Sequence, residues 1–358
     1  MDLQKAQTKD LLTWTSLTAA VDARLSPHQF VKKLLFGDIS PQETEEIEVS
    51  VIVGSRQVAP FVKRNGEAIE VGNYSEDFQN IIAPSVAVKR HLTAKELMNN
   101  RRAGFAIMPG QGQVLSAAQQ HIARSSRHLA DMVTEAEEYL CCMALQGAVS
   151  YSVAGQASFS ITYGRSATHT IDLTSGFYWD EATGVPIDDF LTARDLVATD
   201  TGLTLTDVIL GSEATLAFLR NADVLGVGGF LNNRRIQAGN LDLEQEFRDD
   251  GALLLGHFEG LNVWSYSRST TLADGTSVDL IRPKYAEFVT RSPAAENVLY
   301  YGAIHDIDAM EAGQFVGRQF SKSYKSANGK LMWMETQSRP LPVPRRPDSM
   351  ISMLVVTP

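Results

Sequence analysis

Two cysteines in 358 residues, adjacent at Cys141 and Cys142, leave no disulfide framework to hold this chain together. Neighbouring cysteines close only a strained ring and staple no distant segments, so two reduced thiols are expected. Long apolar runs are also missing. Nothing approaches the roughly 18 residues needed to cross a bilayer, and the opening MDLQKAQTKD is polar, so the chain reads as soluble and unexported, with no membrane partner. A basic excess is lacking too: 32 Lys plus Arg against 42 Asp plus Glu give a net charge of −10. Proteins that bind nucleic acid by displacing counterions from phosphates carry the opposite balance, which argues against gene regulation.

Signatures of catalysis are equally scarce. The seven histidines are scattered with no HxxxH or HExxH pair, and no GxSxG elbow occurs. Cys141 and Cys142 fall in an apolar helix end that stabilises a thiolate poorly. Gly226-Val227-Gly228-Gly229 has no Gly-Lys-Ser/Thr after it, so a flexible loop is favoured over a phosphate cradle. His305, Asp306, Asp308 and Glu311 lack a second histidine at ligand spacing and read as a solvated loop rather than a metal site. The expectation is no enzyme, no cofactor and no metal.

What is present is apolar material, 44% of the residues, enough for a sizeable core. Residues 1–25 carry Leu11, Leu12, Trp14, Leu17 and Val21 at loose spacing and read as an arm that cannot bury itself. Ser26-Pro27, then Phe30, Val31, Leu34 and Leu35, then Gly37 predict a short amphipathic helix with Ser26 as N-cap and Pro27 at its first position. Strands follow from Glu45 to about Leu92. Ile47, Val49 and Val51 alternate, and Asn65-Gly66 between two further runs is a strong hairpin signal. Asn73 to Pro84 is mostly polar without an anchoring period, and with the hairpin it suggests a long projecting loop. The basic run Lys89-Arg90-His91 and the pair Arg101-Arg102 read as a solvated helix end or an intersubunit salt bridge before phosphate contacts.

Residues 115–146 give the clearest helix. Leu115, Ala118, Ile122, Leu129, Met132, Val133, Ala136, Leu140, Met143 and Ala144 recur at spacings of three and four, while Arg124, Arg127, Asp131, Glu135 and Glu138 fall mainly on the other side. A helix of that length spans about 48 Å, nearly the width of the molecule, unless it breaks near Ser125-Ser126. A second hairpin follows from Val149 to Tyr163 through Gly155. From about Pro186 comes a mixed module: a helix near 188–198, a strand Thr206–Leu210, a helix Glu213–Arg220, and strands around 252–258 and 262–266. Asp274-Gly275 and Asn328-Gly329 mark further hairpin turns, and Met350 to Val356 closes the chain as a short apolar strand.

Read in order, these features resemble the lambda-type phage major capsid proteins, the capsid protein E family. The resemblance is carried by Ala83-Pro84 leading into Val88–Leu97, the helix ending Ala144-Leu145-Gln146-Gly147, Tyr163-Gly164-Arg165 and Tyr301–Asp308. Its most specific piece is Trp333-Met334-Glu335-Thr336-Gln337-Ser338-Arg339-Pro340-Leu341-Pro342 followed by Pro347-Asp348. It covers most of 40–165 and 295–356; the middle matches only in its mixture of strands and helices.

The resemblance implies the α+β fold of tailed-phage and herpesvirus shells. It would place an N-terminal arm at 1–40, an extended loop and flanking strands at 41–95, and a peripheral domain at 96–186 around a spine helix 115–146. An axial domain at 187–312 and a C-terminal return to the peripheral domain at 313–358 would complete it. The function implied is a structural subunit of an icosahedral head that assembles with itself into hexamers and pentamers and encloses double-stranded DNA without sequence-specific binding. The implied setting is the virion, with the host cytoplasm during assembly. A separate scaffolding protein, a portal and a decoration protein are the further partners of this family, and a fused scaffold is not expected. Intersubunit contact candidates are Phe61, Lys63, Arg64 and Ile69 in the loop, with Arg124, Arg127 and Glu135 on the spine. A solvated Lys63 is favoured over a crosslinking one. A nanocompartment shell sharing the fold, and a nucleotide-dependent enzyme using Gly226–Gly229, are the alternatives.

Overall fold

The computed structural model describes residues 29–52, 76–93, 96, 111–152, 158–226, 250–311, 313, 315–328 and 331–358. Helix α1 covers Phe30–Leu35, and all of its residues but Lys33 are buried. Its N-cap is Gln29, so the helix starts three residues beyond Pro27, and Ser26 and Pro27 lie outside the described residues. Strand β1 (Asp38–Pro41) leads into β2 (Glu46–Ile52), which pairs antiparallel with β3 (Glu76–Ile82). The polar stretch expected to be loop up to Pro84 is therefore a strand from Glu76 onward. The ladder to β2 orders it where no hydrophobic period does, because backbone pairing needs no particular side chain. β4 (Val86–Thr93) carries Lys89, Arg90 and His91 on a strand, not at a helix end. It is followed by a capping box in which Thr93 and Glu96 exchange side chain-to-backbone hydrogen bonds at 3.0 and 3.2 Å.

The long helix α2 runs unbroken from Gln111 to Leu145, 35 residues or about 52 Å, straight through Ser125-Ser126. Small serines there are buried and fit against neighbouring elements rather than interrupting the turn. Gly147 ends it at φ +108°, a conformation that glycine adopts without the penalty of a side chain. Arg165 donates to the Leu145 carbonyl at 2.6 Å, placing a cation at the negative end of the helix dipole. The hairpin β5 (Ala148–Tyr151) and β6 (Phe159–Thr162) follows as expected, its turn at Gly155 lying outside the described residues.

The remaining elements, in order, are β7 (Thr170–Asp172), α3 (Pro186–Thr201), β8 (Asp207–Leu210), α4 (Ser212–Arg220) and α5 (Ala222–Gly226). Then come β9 (Leu253–Phe258), β10 (Leu261–Ser265), β11 (Ser269–Thr271), β12 (Ser277–Asp279), β13 (Tyr285–Val289), β14 (Asn297–Tyr301) and α6 (Ile307–Glu311). The last four are β15 (Phe320–Lys325), β16 (Leu331–Ser338), β17 (Pro340–Pro344) and β18 (Met350–Leu354). They build three larger sheets: β1-β14-β17, β15-β16-β4 and the six-stranded β7-β18-β13-β8-β10-β9. The closing strand lies between β13 of the 187–312 stretch and β7 of the 96–186 stretch. Met350, Ile351 and Met353 are buried there, and a strand buried on both faces pairs centrally rather than at an exposed edge.

Two cores result. In one, α1, the root of the β2–β3 ribbon, the C-terminal half of α2 and the β1-β14-β17 sheet meet around Phe30, Ile47, Leu140, Leu145, Tyr301 and Val343. In the other, α3 and α4 cover the six-stranded sheet, and Phe190 stands edge-on to Phe258 and Phe288, both at 5.1 Å. Gly211 joins β8 to α4 at a point where an added Cβ would lie 2.2 Å from the Arg282 carbonyl oxygen, so only glycine fits. A smaller cluster of Leu92, Leu129 and Met334 seats the β15-β16-β4 sheet on the middle of α2.

Candidate assembly surfaces and the arm anchor

Two acidic residues on the buried side of α2 organise the most polar part of the interior. Glu138, expected on the solvated side of the helix, is buried, as is Glu137. Glu138 accepts the backbone N–H of Val31 at 2.8 Å and of Lys32 at 3.1 Å, and the Tyr266 hydroxyl donates to it at 3.2 Å. A carboxylate thus occupies the first turn of α1, where unpaired N–H groups carry the positive end of the peptide dipoles. Burial is the largest influence on this carboxyl and raises its pKa to about 7 despite the donors.

Glu137 is opposite in character. Burial pushes its pKa up, but Lys32 at 2.6 Å and Arg318 at 2.8 Å outweigh that and hold it below the ordinary carboxylate value. Lys32 Nζ also donates to the Tyr301 hydroxyl at 3.1 Å. On the other side, Asp250 accepts the Gln29 N–H at 3.2 Å and binds Lys33 at 2.6 Å. Phe30 packs between Trp264 and Tyr266, ring centres 5.3 and 5.1 Å away. The short helix following residues 1–28 is therefore fastened by α2, by the loop at Asp250, and by residues near 266, 301 and 318. None of these partners was given this role from the sequence. The available signal was Glu137 itself, which stands four residues after Val133 and three before Leu140, on the apolar stripe.

On the outside, Arg124 and Arg127, the spine's contact candidates, are exposed on α2. Glu135 is half-buried and engaged within its own chain, paired with Arg268 at 3.1 Å. Phe61, Lys63, Arg64 and Ile69 lie outside the described residues, as do Arg101, Arg102 and Val227–Gly229. Met132, counted on the apolar stripe of α2, is 47% exposed. It borders an apolar groove of about 420 Å³ shared by Ala136 and Tyr139 of α2, Tyr151 and Phe159 of the hairpin, and Val86 of β4. Tyr151 and Phe159 stack across the hairpin at 5.8 Å. Such a groove, open to solvent and walled by aromatic rings, has the composition of an interface core.

The remaining charged constellations are structural. Asp306 and Asp308 bind Lys322 at 2.5 and 3.1 Å, and His305 faces Glu45 at 3.3 Å. Among the described residues no group of His, Cys, Asp and Glu is arranged to hold a metal ion. Cys141 and Cys142 are free and buried, and burial drives both thiol pKa values well up. Among the described residues no helix is long and apolar enough to cross a membrane.

The family model described as phage major capsid protein E matches residues 13–355. Among solved structures, a prophage capsid protein from E. coli CFT073 shares 17% identity at a TM-score of 0.72, over 96% of this chain and 99% of that one. A phage-related protein from Bordetella bronchiseptica RB50 shares 13% identity at a TM-score of 0.51, over 96% and 97%. The capsid of a native GTA particle shares 10% at 0.52, over 94% and 92%. At these identities the likeness establishes the fold, an α+β shell-protein architecture. A search of the curated proteins finds no match.

Proposed function

The chain belongs to the phage major capsid protein E family, structural proteins of the phage head and not enzymes, and from that premise we propose how its parts serve assembly. The subunit joins copies of itself in hexamers and pentamers that close into an icosahedral shell around double-stranded DNA. The six-stranded module forms the axial part that meets at ring centres. The spine α2, with the β5–β6 hairpin and the β15-β16-β4 sheet, forms the peripheral part. Residues 1–28 and the segment between β2 and β3 reach across neighbouring copies, and Phe61 to Val71 lie on an adjacent subunit.

The observation that carries this reading is the anchored root of residues 1–28. A short helix held by charge-assisted contacts from α2 and from the loop at Asp250 withstands a pull on the segment in front of it. Many modest contacts of this kind, joined in one closed object, raise avidity steeply. The net charge of −10 serves the same end, because a wall that gripped DNA would impede its packing and exit. Assembly takes place in the host cytoplasm with a separate scaffolding protein, a portal and a decoration protein, and the product resides in the virion.

Deleting 61–71 is expected to abolish closed particles in negative-stain images while leaving the subunit folded. Normal closed shells from that variant would refute the role of the loop. Terminase and portal genes beside the coding sequence separate the phage head from a nanocompartment of the same fold.

A further inference from the structure

The closing strand β18 is an apolar run, Met350-Ile351-Ser352-Met353-Leu354, held between β7 and β13 and buried up to Met353. Its apolar side chains give it little with which to choose one alignment over another. Met, Ile and Leu are close in volume and methionine adapts to irregular gaps, so a shift of two residues along β13 keeps apolar groups on both faces of the strand. Ser352 alone breaks the run. Directly across the ladder from it stands Glu287, and both are completely buried. The row continues through Ile209 and Trp264, on the face of the sheet that meets the first core. A carboxylate in such a place is costly unless donors reach it. Here the Ser352 hydroxyl donates to Glu287 Oε1 at 3.0 Å, and Arg282 Nη2 donates to the same oxygen at 2.9 Å. Arg282 Nη2 also donates to the Ser352 hydroxyl oxygen, while its guanidinium sits 3.6 Å from the centre of the Tyr285 ring.

We infer that Arg282, Glu287 and Ser352 form a register key, which holds β18 in one of several alignments that its apolar side chains would tolerate about equally. Moving the strand by one or two residues in either direction sets Met350, Ile351, Met353 or Leu354 opposite Glu287, and none of these offers a hydroxyl. The carboxylate then loses a donor in a site closed to water, which separates the alignments where packing does not. Other ties at this end of the chain discriminate less. Thr290 donates to the Ser349 carbonyl, a group that every residue carries, and the contacts of Asp180 and Lys284 with Thr357 are exposed. A two-residue slip would carry Thr357 about 7 Å along the sheet, away from both. The key concerns how each copy reaches a single shape, and it is independent of the shell reading above.

The test traps the alignment in dispersed full-length subunits. Ala286→Cys is combined in turn with Met353→Cys, its partner across the ladder, and with Ile351→Cys or Val355→Cys, which face it only after a two-residue slip. Folded subunits are oxidised mildly, and peptide mapping separates these crosslinks from any that involve Cys141 or Cys142. With Ser352 in place, the 286–353 pair alone is expected to close. Ser352→Ala is expected to raise closure of the slipped pairs by about tenfold or more, and Ser352→Thr, which keeps the hydroxyl, to return them to the starting level. A second variant covers the case in which Ser352→Ala does not fold. Glu287→Leu with Ser352→Ala removes both buried polar partners, an exchange that costs little stability, and leaves Arg282, a third exposed, free to turn to solvent. That chain is expected to melt near the wild-type midpoint yet to close native and slipped pairs alike, a result that a merely structural contact would not give. Exclusive 286–353 closure in every variant overturns the key, and so does slippage in the chain that retains Ser352 and Glu287. Loss of folding in the double variant overturns it as well, because a strand that packs equally in several alignments needs no key to stay in the sheet.

Discussion

Glu137 and Glu138 are consecutive residues of one helix whose carboxyl groups are shifted in opposite directions. Glu137 is drawn down by Lys32 and Arg318 against the effect of burial, and its contribution to stability is present above its unfolded pKa and lost on acidification. Glu138 is raised from 4.5 to about 7, chiefly by burial. The native state then keeps a proton that the unfolded chain releases, so its contribution is complete below pH 4.5 and is lost as pH climbs through 7. The difference across that window is about 3 kcal/mol. Glu138→Gln is expected to remove this slope: calorimetric midpoints of the variant and the wild type, measured on dispersed subunits from pH 5 to 8, diverge steadily in the variant's favour on the alkaline side. A constant offset between the two would contradict the assignment. The sequence shows that acidic residues punctuate this helix. It does not show which of them turn inward, because the deciding partners lie about 105 to 181 positions away along the chain.

At the level of elements, local periodicity carried most of the information. The spine, the β5–β6 hairpin, the turns at Asp274-Gly275 and Asn328, and the strand–helix unit from Asp207 to Arg220 were legible because each is encoded within a dozen or so neighbouring residues. Strand β3 was not, since its order comes from pairing with β2 and only Ile81, among its residues of described burial, is buried. The open question of a break at Ser125-Ser126 is settled by burial on that face rather than by propensity. Ser126→Pro is accordingly expected to cost about 3 kcal/mol or more, removing a helical hydrogen bond at the middle of α2. Circular dichroism should register a shortened helix and thermal melts a lower midpoint. An unchanged midpoint would show that the two halves of α2 are held independently by the sheets they support.

For the whole molecule, the order in which strands are threaded matters more than their number. The β1–β14 pairing joins residues about 260 positions apart, and β18 sits between β7 and β13. No sequence pattern reports such neighbours. Removing residues 350–358 is expected to leave β7 and β13 without their shared partner and to strip burial from Phe288 and Val289. Fractionation should find that truncated chain in the insoluble pellet; a soluble, normally melting product would show the sheet to be self-sufficient. The position of β18 also acts as a clock. During synthesis, residues 350–354 are the last strand of this sheet to leave the ribosome, so β7 and β13 wait for their shared partner until those residues emerge.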